Sequence, residues 1–579
     1  MPEALEASGT LASARSPVPE PVPQPYRWRW VALFVILAAE VMDLLDSTVT
    51  NIASPTIRLE LGGSYTTIQW LGAGYVLAMA VGLITGGRLG DIFGRKRMFL
   101  IGAAGFTAGS VLCGVAQEPG MLIAFRVLQG LFGAVMIPQG LGIIKEMFDE
   151  KEMGKAFGAF GPVMGLSAVG GPILAGWLVE ADLFGTGWRM IFLINLPLGL
   201  AAIVAGLKFL PEFRPPRAPR LDIVGALLAT AAATLIIFPL VQGRELGWPA
   251  WTFVSTAASA VVFAIFAWYE LRVHRAGGDP LVTPSLFRKR AFTGGLVFAV
   301  LFFAGMIGYS LVFNLFVQMG LGYSPLKAGL AGAPWAVGMV IGFGATAGAA
   351  QKHGRVVLQL GTLVMTLGII GMYATLKAAG VGVTLWQLVP ALLVIGFGMS
   401  MVMAPFFDTV LAGVDAHETG TASGTLTAIQ QLGGALGIAV LGTLFFGLLG
   451  GQVSGGADDT APRLRAELAS AGVPTAVRQQ IAVDLKVCAR DRAEEEDPAT
   501  TPASCAMVDR TVRSTIAANP QEAARIGAAV GQAGQDGAKR GFIGALEFTL
   551  LLEMGLLLLT CAFSFLLPRR ARPDAAPSH

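Results

Sequence analysis

Three carboxylates lie close together in the first long apolar stretch of the chain, which covers approximately residues 31–53. They are Glu40, Asp43 and Asp46. At roughly 100° per residue, a helix would place all three within an arc of about 120°, on a single face. A charged side chain is costly inside a membrane and is usually retained there for function. We therefore expect this face to line a water-accessible cavity.

Arg126 is the basic counterpart of these acids and lies in the fourth long apolar stretch. Asp46 is about 15 residues into its stretch and Arg126 about five into one that runs the opposite way, so a helical rise of about 1.5 Å places them at similar depth. An Asp46–Arg126 contact is thus geometrically allowed. It could be a proton-coupling pair, in which Asp46 stays ionised beside the arginine and takes a proton when the arginine moves away. The alternative is a structural ion pair that holds two helices together.

The composition is that of a membrane-embedded protein. Hydrophobic residues make up 54% of the 579 residues, charged residues make up 14%, and the mean hydropathy is +0.64. Such a chain cannot cover a soluble surface with polar side chains. About fourteen stretches are long enough to cross a bilayer as helices. They cover approximately 31–53, 68–87, 98–117, 121–143, 157–180, 188–210, 222–242, 250–270, 292–316, 328–349, 356–376, 387–410, 424–449 and 542–567.

Several other classes of function are disfavoured. The net charge is only +3 and the bases are spread over loops, so no nucleic acid is expected as a partner. The four cysteines and four histidines lack metal-ligand spacing, so no metal is expected. The chain also lacks a phosphate-binding loop of the form G-x-x-x-x-G-K-[ST]. We therefore expect no cofactor, and an ion gradient as the energy source.

The basic loops predict the orientation and the domain limits. Basic residues concentrate in alternate loops, which places both termini in the cytoplasm. The predicted divisions are a disordered cytoplasmic tail (1–27), an N-terminal six-helix half (28–213), two additional helices (214–275), five helices of the C-terminal half (276–450), an outer loop or cap (451–540), a last helix (541–568) and a cytoplasmic tail (569–579).

A short glycine-rich, charged segment, Gly86–Arg97, separates the second and third stretches. It resembles the loop signature of the major facilitator superfamily, G-x-L-a-D-r-x-G-r-k. The resemblance implies a membrane transporter with a tight turn at the cytoplasmic surface. The residues that would form its gating loop are Gly87, Asp91, Gly94, Arg95 and Lys96.

Further motifs make the resemblance more specific. Leu45–Pro55 resembles L-D-x-T-v-v-n-v-A-l-P, Arg126–Gly130 resembles R-x-x-q-G, and Gly187–Pro197 resembles G-W-R-w-i-F-x-i-N-x-P. Gly171, Pro172 and Gly176 are similar to the antiporter motif g-x-x-x-G-P-x-x-G-G. Together they resemble the fourteen-helix drug:H⁺ antiporter branch. This implies an all-α integral membrane protein with two six-helix halves and two additional helices between them.

Four polar residues within the stretches are candidates for a substrate cavity. Glu40 and Asp43 depart from the family pattern, and Glu40 lies near the midplane, where a negative centre would attract cationic lipophilic molecules. Alternatively, Glu40 is protonated or bonded to a neighbouring polar side chain. Asn314 and Gln318 lie one helical turn apart, and buried amides need hydrogen-bonding partners.

The segment 451–540 is polar and is predicted to lie outside the cell. Periodic stretches within it suggest a small helical cap. Cys488 and Cys505 share this oxidising compartment, so they could form a disulfide or remain two free thiols.

The function these observations favour is proton-coupled antiport in a bacterial cytoplasmic membrane. The expected partners are protons, membrane lipids and small lipophilic substrates such as drugs or antibiotics, including cationic ones, and the protein is expected to act as a monomer. One alternative is a dedicated exporter of one endogenous metabolite or lipid. Another is a transport-inactive membrane receptor or scaffold that uses its outer cap to bind a partner.

Overall fold

The computed structural model describes residues 26–214, 220–415, 418–495 and 497–568, and in these ranges the chain is helical and contains no strand. Almost all of the predicted tail over 1–27 and all of that over 569–579 lie outside the described residues. The helices are α1 (Arg29–Leu61), α2 (Tyr65–Phe93), α3 (Arg95–Gly114), α4 (Pro119–Met147), α5 (Glu150–Ala181), α6 (Met190–Leu193), α7 (Asn195–Phe209), α8 (Ile223–Gln242), α9 (Ala250–Arg275), α10 (Arg290–Leu315), α11 (Pro325–Ala331), α12 (Ala333–Ala379), α13 (Leu385–Val410), α14 (Thr419–Ser470), α15 (Thr475–Glu494), α16 (Ala503–Ala518) and α17 (Ala523–Phe563).

Twelve helical segments among the described residues are long and apolar enough to cross a membrane. Helix α1 is also long, with 33 residues, but it carries the three carboxylates. The count of fourteen spans and the cytoplasmic position of the termini stay predictions. Below, the predicted cytoplasmic end is the end of the bundle that carries Gly94, and the predicted outer end is the opposite one.

Small residues bring the helices of the first bundle, α1–α7, into backbone contact. A Cβ at Gly86 of α2 would lie 2.2 Å from the carbonyl oxygen of Ala134 on α4. A Cβ at Gly102 of α3 would lie 2.7 Å from the backbone nitrogen of Met136, also on α4. Such close approach is how membrane helices pack without a hydrophobic driving force. Helix α4, which carries Arg126, is thereby fixed between α2 and α3.

The second bundle, α10–α14 with α17, is built in the same way. A Cβ at Gly437 of α14 would lie 2.0 Å from the carbonyl oxygen of Ala304 on α10. A Cβ at Gly338 of α12 would lie 2.2 Å from the carbonyl oxygen of Leu393 on α13. Glycine is therefore required at these crossings.

The two additional helices, α8 and α9, form a hairpin that lies against both bundles. Ser255 and Ser259 of α9 donate hydrogen bonds to the carbonyl oxygens of Leu235 (2.9 Å) and Ala232 (2.7 Å) on α8. At the predicted outer end, Thr443 of α14 donates to the carbonyl oxygen of Leu240 (2.8 Å). The hairpin therefore covers one side of the seam between α2 and α14.

Two loops are shorter in the structure than the sequence predicts. Helix α2 continues to Phe93 and α3 starts at Arg95, so the charged segment is mostly helical and reverses at Gly94 alone, where φ is +102°. Glycine tolerates this φ because it has no Cβ. The predicted tenth and eleventh spans join in α12, which is interrupted only by a kink at His353, with φ −130°.

The outer segment 451–540 is largely helical and continuous with the membrane helices. Helix α14 extends to Ser470 and α17 starts at Ala523, so both continue beyond the predicted span limits. The two helices stay in backbone contact there, since a Cβ at Gly456 would lie 2.3 Å from the carbonyl oxygen of Gly537. With α15 and α16 they enclose a separate apolar core. Its members include Leu464, Leu468, Ile481, Val508 and Ile526. We call this four-helix unit the cap.

The structure joins Cys488 of α15 to Cys505 of α16 in a disulfide with a sequence separation of 17. Replacing both with serine should lower the free energy of unfolding of the cap by about 3 kcal/mol, because the bridge restricts the unfolded chain. Hydrogen exchange should accelerate in α15 and α16 while exchange in the helices of the first bundle stays unchanged. Cys561→Ser, at an unbridged cysteine outside the cap, is the control. Two free thiols in non-reduced peptides of the wild type would contradict the prediction.

Candidate functional site

Asp46 and Arg126 form a buried ion pair in the first bundle. Arg126 Nη1 contacts Asp46 Oδ2, and the residues are 1% and 0% exposed. The other carboxylate oxygen of Asp46 accepts hydrogen bonds from Gln129 Nε2 (2.9 Å) and Asn195 Nδ2 (3.0 Å). A buried charge is tolerated only when it is paired and hydrogen-bonded, and here α1, α4 and α7 all contribute partners.

The guanidinium of Arg126 has further partners on α4 itself and on α2. Its Nη1 donates to Gln129 Oε1 (2.9 Å) and its Nε to the carbonyl oxygen of Leu71 (3.4 Å). The ring of Tyr75 lies under it, with its centroid 4.1 Å from Cζ. Helix α2 thus supports the cation through a cation–π contact and a carbonyl dipole.

Asp43 and Glu40 continue from this network along the same face of α1. The hydroxyl of Tyr75 donates to Asp43 Oδ1, so Asp43 is linked to the Arg126 site through one aromatic side chain. Glu40 is half-buried and has no hydrogen-bond or ion-pair partner among the residues that the structure describes. Its Oε1 lies 3.6 Å from where a Cβ at Gly140 of α4 would be. The structure therefore leaves the Glu40 carboxyl available for a ligand or a proton.

Asn314 and Gln318 connect the two halves at the predicted outer end. Asn314 Nδ2 donates to the carbonyl oxygen of Asn51 (2.5 Å), and Gln318 Nε2 donates to that of Ile52 (2.9 Å). The proline at Pro55 lies four residues after Asn51 and has no N–H, so the Asn51 carbonyl lacks its usual helical donor. The Asn51 carbonyl accepts instead from the Ser54 hydroxyl of the same helix (2.9 Å) and from the Asn314 amide of the other half.

The two amides were predicted to face a substrate cavity, and the structure gives them a different principal contact. Both are largely buried against α1, although Gln318 also lines a cavity of about 420 Å³ beneath the cap. Their partners are backbone carbonyls, which carry no sequence signal. Direct contact with a substrate stays a prediction.

The antiporter-motif residues also lie where the halves meet. A Cβ at Gly171 of α5 would lie 2.6 Å from Thr48 Oγ1 on α1. A Cβ at Gly176 would lie 2.4 Å from the carbonyl oxygen of Pro325, and one at Gly329 of α11 would lie 2.3 Å from that of Pro172. Helix α5 is therefore pressed between α1 and α11, and the predicted outer end is closed.

The predicted gating residues form a compact turn at the other end. Asp91 and Arg95 form an ion pair of 3.0 Å, and Arg95 lies against Gly142 of α4, where a Cβ would be 1.9 Å from Nη1. The backbone nitrogen of Lys96 donates to Glu212 Oε1 (3.2 Å), just after α7. Gly87 faces α4 less tightly, because a Cβ there would lie 3.7 Å from the Cβ of Pro138, an ordinary packing distance.

Three members of the ion-pair network were not assigned a role from the sequence. Gln129 and Asn195 lie inside motifs that the sequence displays, and Tyr75 is one of many aromatic residues in the spans. Gln129 follows Arg126 by three residues, which places both on one helix face. That spacing is a signal that could have identified Gln129, whereas the positions of Asn195 and Tyr75 depend on how α2 and α7 pack.

Comparison with known proteins gives consistent matches along most of the chain. The family model of the Major Facilitator Superfamily matches residues 36–438. The chain is 51% identical over 546 residues to a probable actinorhodin transporter of Streptomyces coelicolor, covering 94% of this chain and 92% of that protein. It is 36% identical over 422 residues to the tetracenomycin C resistance and export protein of Streptomyces glaucescens, covering 72% and 76%.

The arrangement of helices also matches solved structures. A bacterial homologue of the human lysosomal transporter Spinster, in an inward-facing and occupied conformation, superposes with a TM-score of 0.55 at 16% identity. The alignment covers 93% of this chain and 96% of that one. At this identity the likeness establishes the fold alone.

The Asn314 contact predicts a shift toward opening at the predicted outer end. Asn314→Leu leaves the Asn51 carbonyl without its donor from the other half, and one such hydrogen bond contributes about 1 kcal/mol net. A cysteine placed at Thr48, with Cys113 and Cys561 replaced by serine, should then react about fivefold faster with an impermeant maleimide. Asn519→Leu, which alters a cap amide that donates to Thr515, is the control. An unchanged labelling rate in Asn314→Leu would show that this contact does not hold the end closed.

Proposed function

Because this chain belongs to the major facilitator superfamily, we propose that it exports small lipophilic molecules such as antibiotics in exchange for protons. It is a multi-pass membrane transporter and not an enzyme. Relatives that are 36% identical include a tetracenomycin C resistance and export protein and a puromycin resistance protein. Their names support the outward direction, and the charged network supports the coupling.

The observation that carries the coupling proposal is the buried ion pair. Asp46 is 0% exposed, and its carboxylate oxygens contact Arg126, Gln129 and Asn195. If Arg126 moves away, an isolated carboxylate becomes costly in these surroundings and Asp46 binds a proton instead. A carboxylate that is ionised in one conformation and protonated in another can carry a proton across the membrane.

The two ends of the bundle supply the alternation that antiport requires. At the predicted outer end, the hydrogen bonds of Asn314 and Gln318 and the packing of Gly176 hold the halves together. These contacts must break for outward release. Asp46 and Asn51 lie on the same helix, so movement of α1 at the outer end also changes the geometry of the ion pair.

Glu40 and Asp43 are proposed to contact the substrate. Glu40 has no partner among the described residues, and Asp43 is bonded to Tyr75, so the two acids differ in availability. Glu40 would therefore give a cationic group its main contact, because a desolvated charge pair is strong. A substrate bound at Asp43 would alter the hydrogen bond to Tyr75 and, through it, the contact between Tyr75 and Arg126.

A narrower function is favoured by one specific finding. The relative with 51% identity is named a probable transporter of one compound, actinorhodin. The match covers 94% of this chain and therefore includes the cap. We therefore keep a dedicated exporter of one product as the second candidate. Both functions use the same proton-coupling network.

Asp46→Asn should abolish uphill export of every substrate, because it removes the titratable group while keeping its size. Glu40→Gln should weaken cationic substrates about tenfold or more and spare neutral ones, since a hydrogen bond to a charged group contributes about 1.5–3 kcal/mol. The assay measures export of a cationic and a neutral compound from proteoliposomes under an imposed pH gradient.

Asp408→Asn, at an exposed carboxylate of α13, is the matched control and should transport normally. Exchange down a substrate gradient should survive in Asp46→Asn, because the cavity is intact. Uphill transport of a neutral compound by Asp46→Asn would exclude the coupling role. Equal losses for cationic and neutral compounds in Glu40→Gln would exclude its charge-selective role.

Asp91→Asn should slow the switch between conformations without changing substrate affinity, because it breaks the ion pair with Arg95 at the turn. Both side chains are partly exposed, at 28% and 21%, so the effect on turnover should be modest, about fivefold or less. Turnover is measured in proteoliposomes and affinity in detergent. Glu146→Gln, an exposed acid of α4 near the same end, is the control. Lost affinity with normal turnover would contradict a gating role.

A further inference from the structure

A second cavity, of about 440 Å³, lies where α8 and α9 cover the seam between α2 and α14. Its wall is almost wholly apolar and includes Val81 of α2, Ala229 of α8, Phe266 of α9 and Leu432 of α14. Its volume falls in the range of small-molecule sites, about 300–1,000 Å³. Of the described residues that line it, Glu270 alone is ionisable.

The Glu270 carboxylate is buried and incompletely bonded. The residue is 4% exposed, and its Oε2 accepts a hydrogen bond from the backbone nitrogen of Val282 (3.0 Å). Its Oε1 has no donor among the described residues. A buried oxygen left without a donor is destabilising, so it is expected to gain a partner when one is supplied.

A second carboxylate, that of Asp222, lies beside Glu270. A Cβ at Gly225 of α8 would lie 2.4 Å from Glu270 Oε1 and 2.5 Å from Asp222 Oδ2, so both acids face the same glycine. Asp222 accepts only from neutral donors: the backbone nitrogens of Gly225 (2.8 Å) and Leu281 (3.2 Å), and the hydroxyl of Tyr269 (3.1 Å).

A nearby positive charge, that of Arg88, makes its hydrogen bonds to backbone carbonyls and not to these carboxylates. The guanidinium of Arg88 donates to the carbonyl oxygens of Arg220 (3.0 Å), Asp279 (2.9 Å) and Pro280. Neither Glu270 nor Asp222 forms an ion pair within the described part of the chain. The charge of Arg88 is close enough to act on both carboxylates, but no cation bonds to either of them directly in the described part of the chain.

The cavity is also accessible from the surface that a bilayer would cover. Phe263, Leu271 and Phe287 line it and are 36%, 41% and 49% exposed. A molecule dissolved in the membrane could reach it between these side chains. A neutral lipid chain would fill the apolar wall but would leave the carboxylates unpaired.

We propose that this cavity binds a lipophilic cation, whose apolar body fills the space between α2, α8, α9 and α14 and whose positive group pairs with the Glu270 carboxylate. The site is separate from the Asp46 network and lies beside the seam between the halves. Its purpose, collection of substrate from the membrane, rests on the proposed export function. Binding itself can be tested without transport.

The test measures fluorescence anisotropy of rhodamine 6G, a lipophilic cation, and of Nile red, a neutral dye, on the full chain in detergent. Ala229→Phe fills the cavity and should weaken both dyes at least tenfold. Ala231→Phe, on the exposed side of the same helix, should change neither. Ala267→Phe, at a less buried lining position, and its control Ala264→Phe repeat the comparison on α9 if Ala229→Phe does not fold.

Glu270→Gln separates a cation site from an apolar one. It should weaken rhodamine 6G about tenfold and leave Nile red within twofold. Equal effects on the two dyes would indicate a lipid-like apolar site and overturn the proposal. So would absence of rhodamine 6G binding to the wild type, or unchanged binding in the cavity-filling variants. All dye measurements use the Glu40→Gln background, which removes the charge proposed for the central cavity, so a failure of the export proposal remains distinguishable from a failure of this one.

Discussion

The buried ion pair between Asp46 and Arg126 constrains most of the first bundle. Two charges removed from water are stable only when their geometry is good and their remaining donors and acceptors are satisfied. Here the required partners come from α1, α4 and α7, with Tyr75 of α2 under the guanidinium. The rotation of each of these helices is therefore fixed by one charge pair. The glycine contacts of α4 with α2 and α3 make the necessary approach possible.

The same pair shows what could be predicted from the sequence. Depth showed that an Asp46–Arg126 contact is geometrically allowed, because the rise of a helix is constant and each residue's distance from its span end is readable. Asn195 could not be placed beside them in the same way. Its contact depends on the rotation of α7, which is determined by packing and not by position along the chain. Helix existence was likewise predictable from length and apolarity, because helices occupy these stretches in the described part of the chain.

The contact between the halves was harder to predict for a different reason. Asn314 and Gln318 were recognised as buried amides that need partners, but those partners are backbone carbonyls of α1. A carbonyl is present at every residue. Asn51 is marked as unusual only by Pro55, which lies four residues later and has no N–H to donate to the Asn51 carbonyl. For the segment 451–540, polarity predicted a position outside the membrane and periodic stretches predicted a small helical cap. Continuous helices form there because α14 and α17 stay in backbone contact at Gly456 and the cap has its own core.

Helix α2 is another place where the two halves are connected. At the predicted outer end, Gln69 contacts Thr443 of α14 directly (3.3 Å). At the predicted cytoplasmic end, Arg88 reaches the carbonyl of Asp279 in the segment before α10, while Lys96 of the adjoining turn contacts Glu212 after α7. Both ends of the segment that contains α8 and α9 are thus attached to the α2–α3 turn. Rocking of the halves must either carry this segment along or exchange the Arg88 bonds. Hydrogen bonds to backbone carbonyls contribute only about 1 kcal/mol each net, or up to about 3 kcal/mol from a charged donor, so exchange is energetically accessible and the additional helices can move relative to the turn.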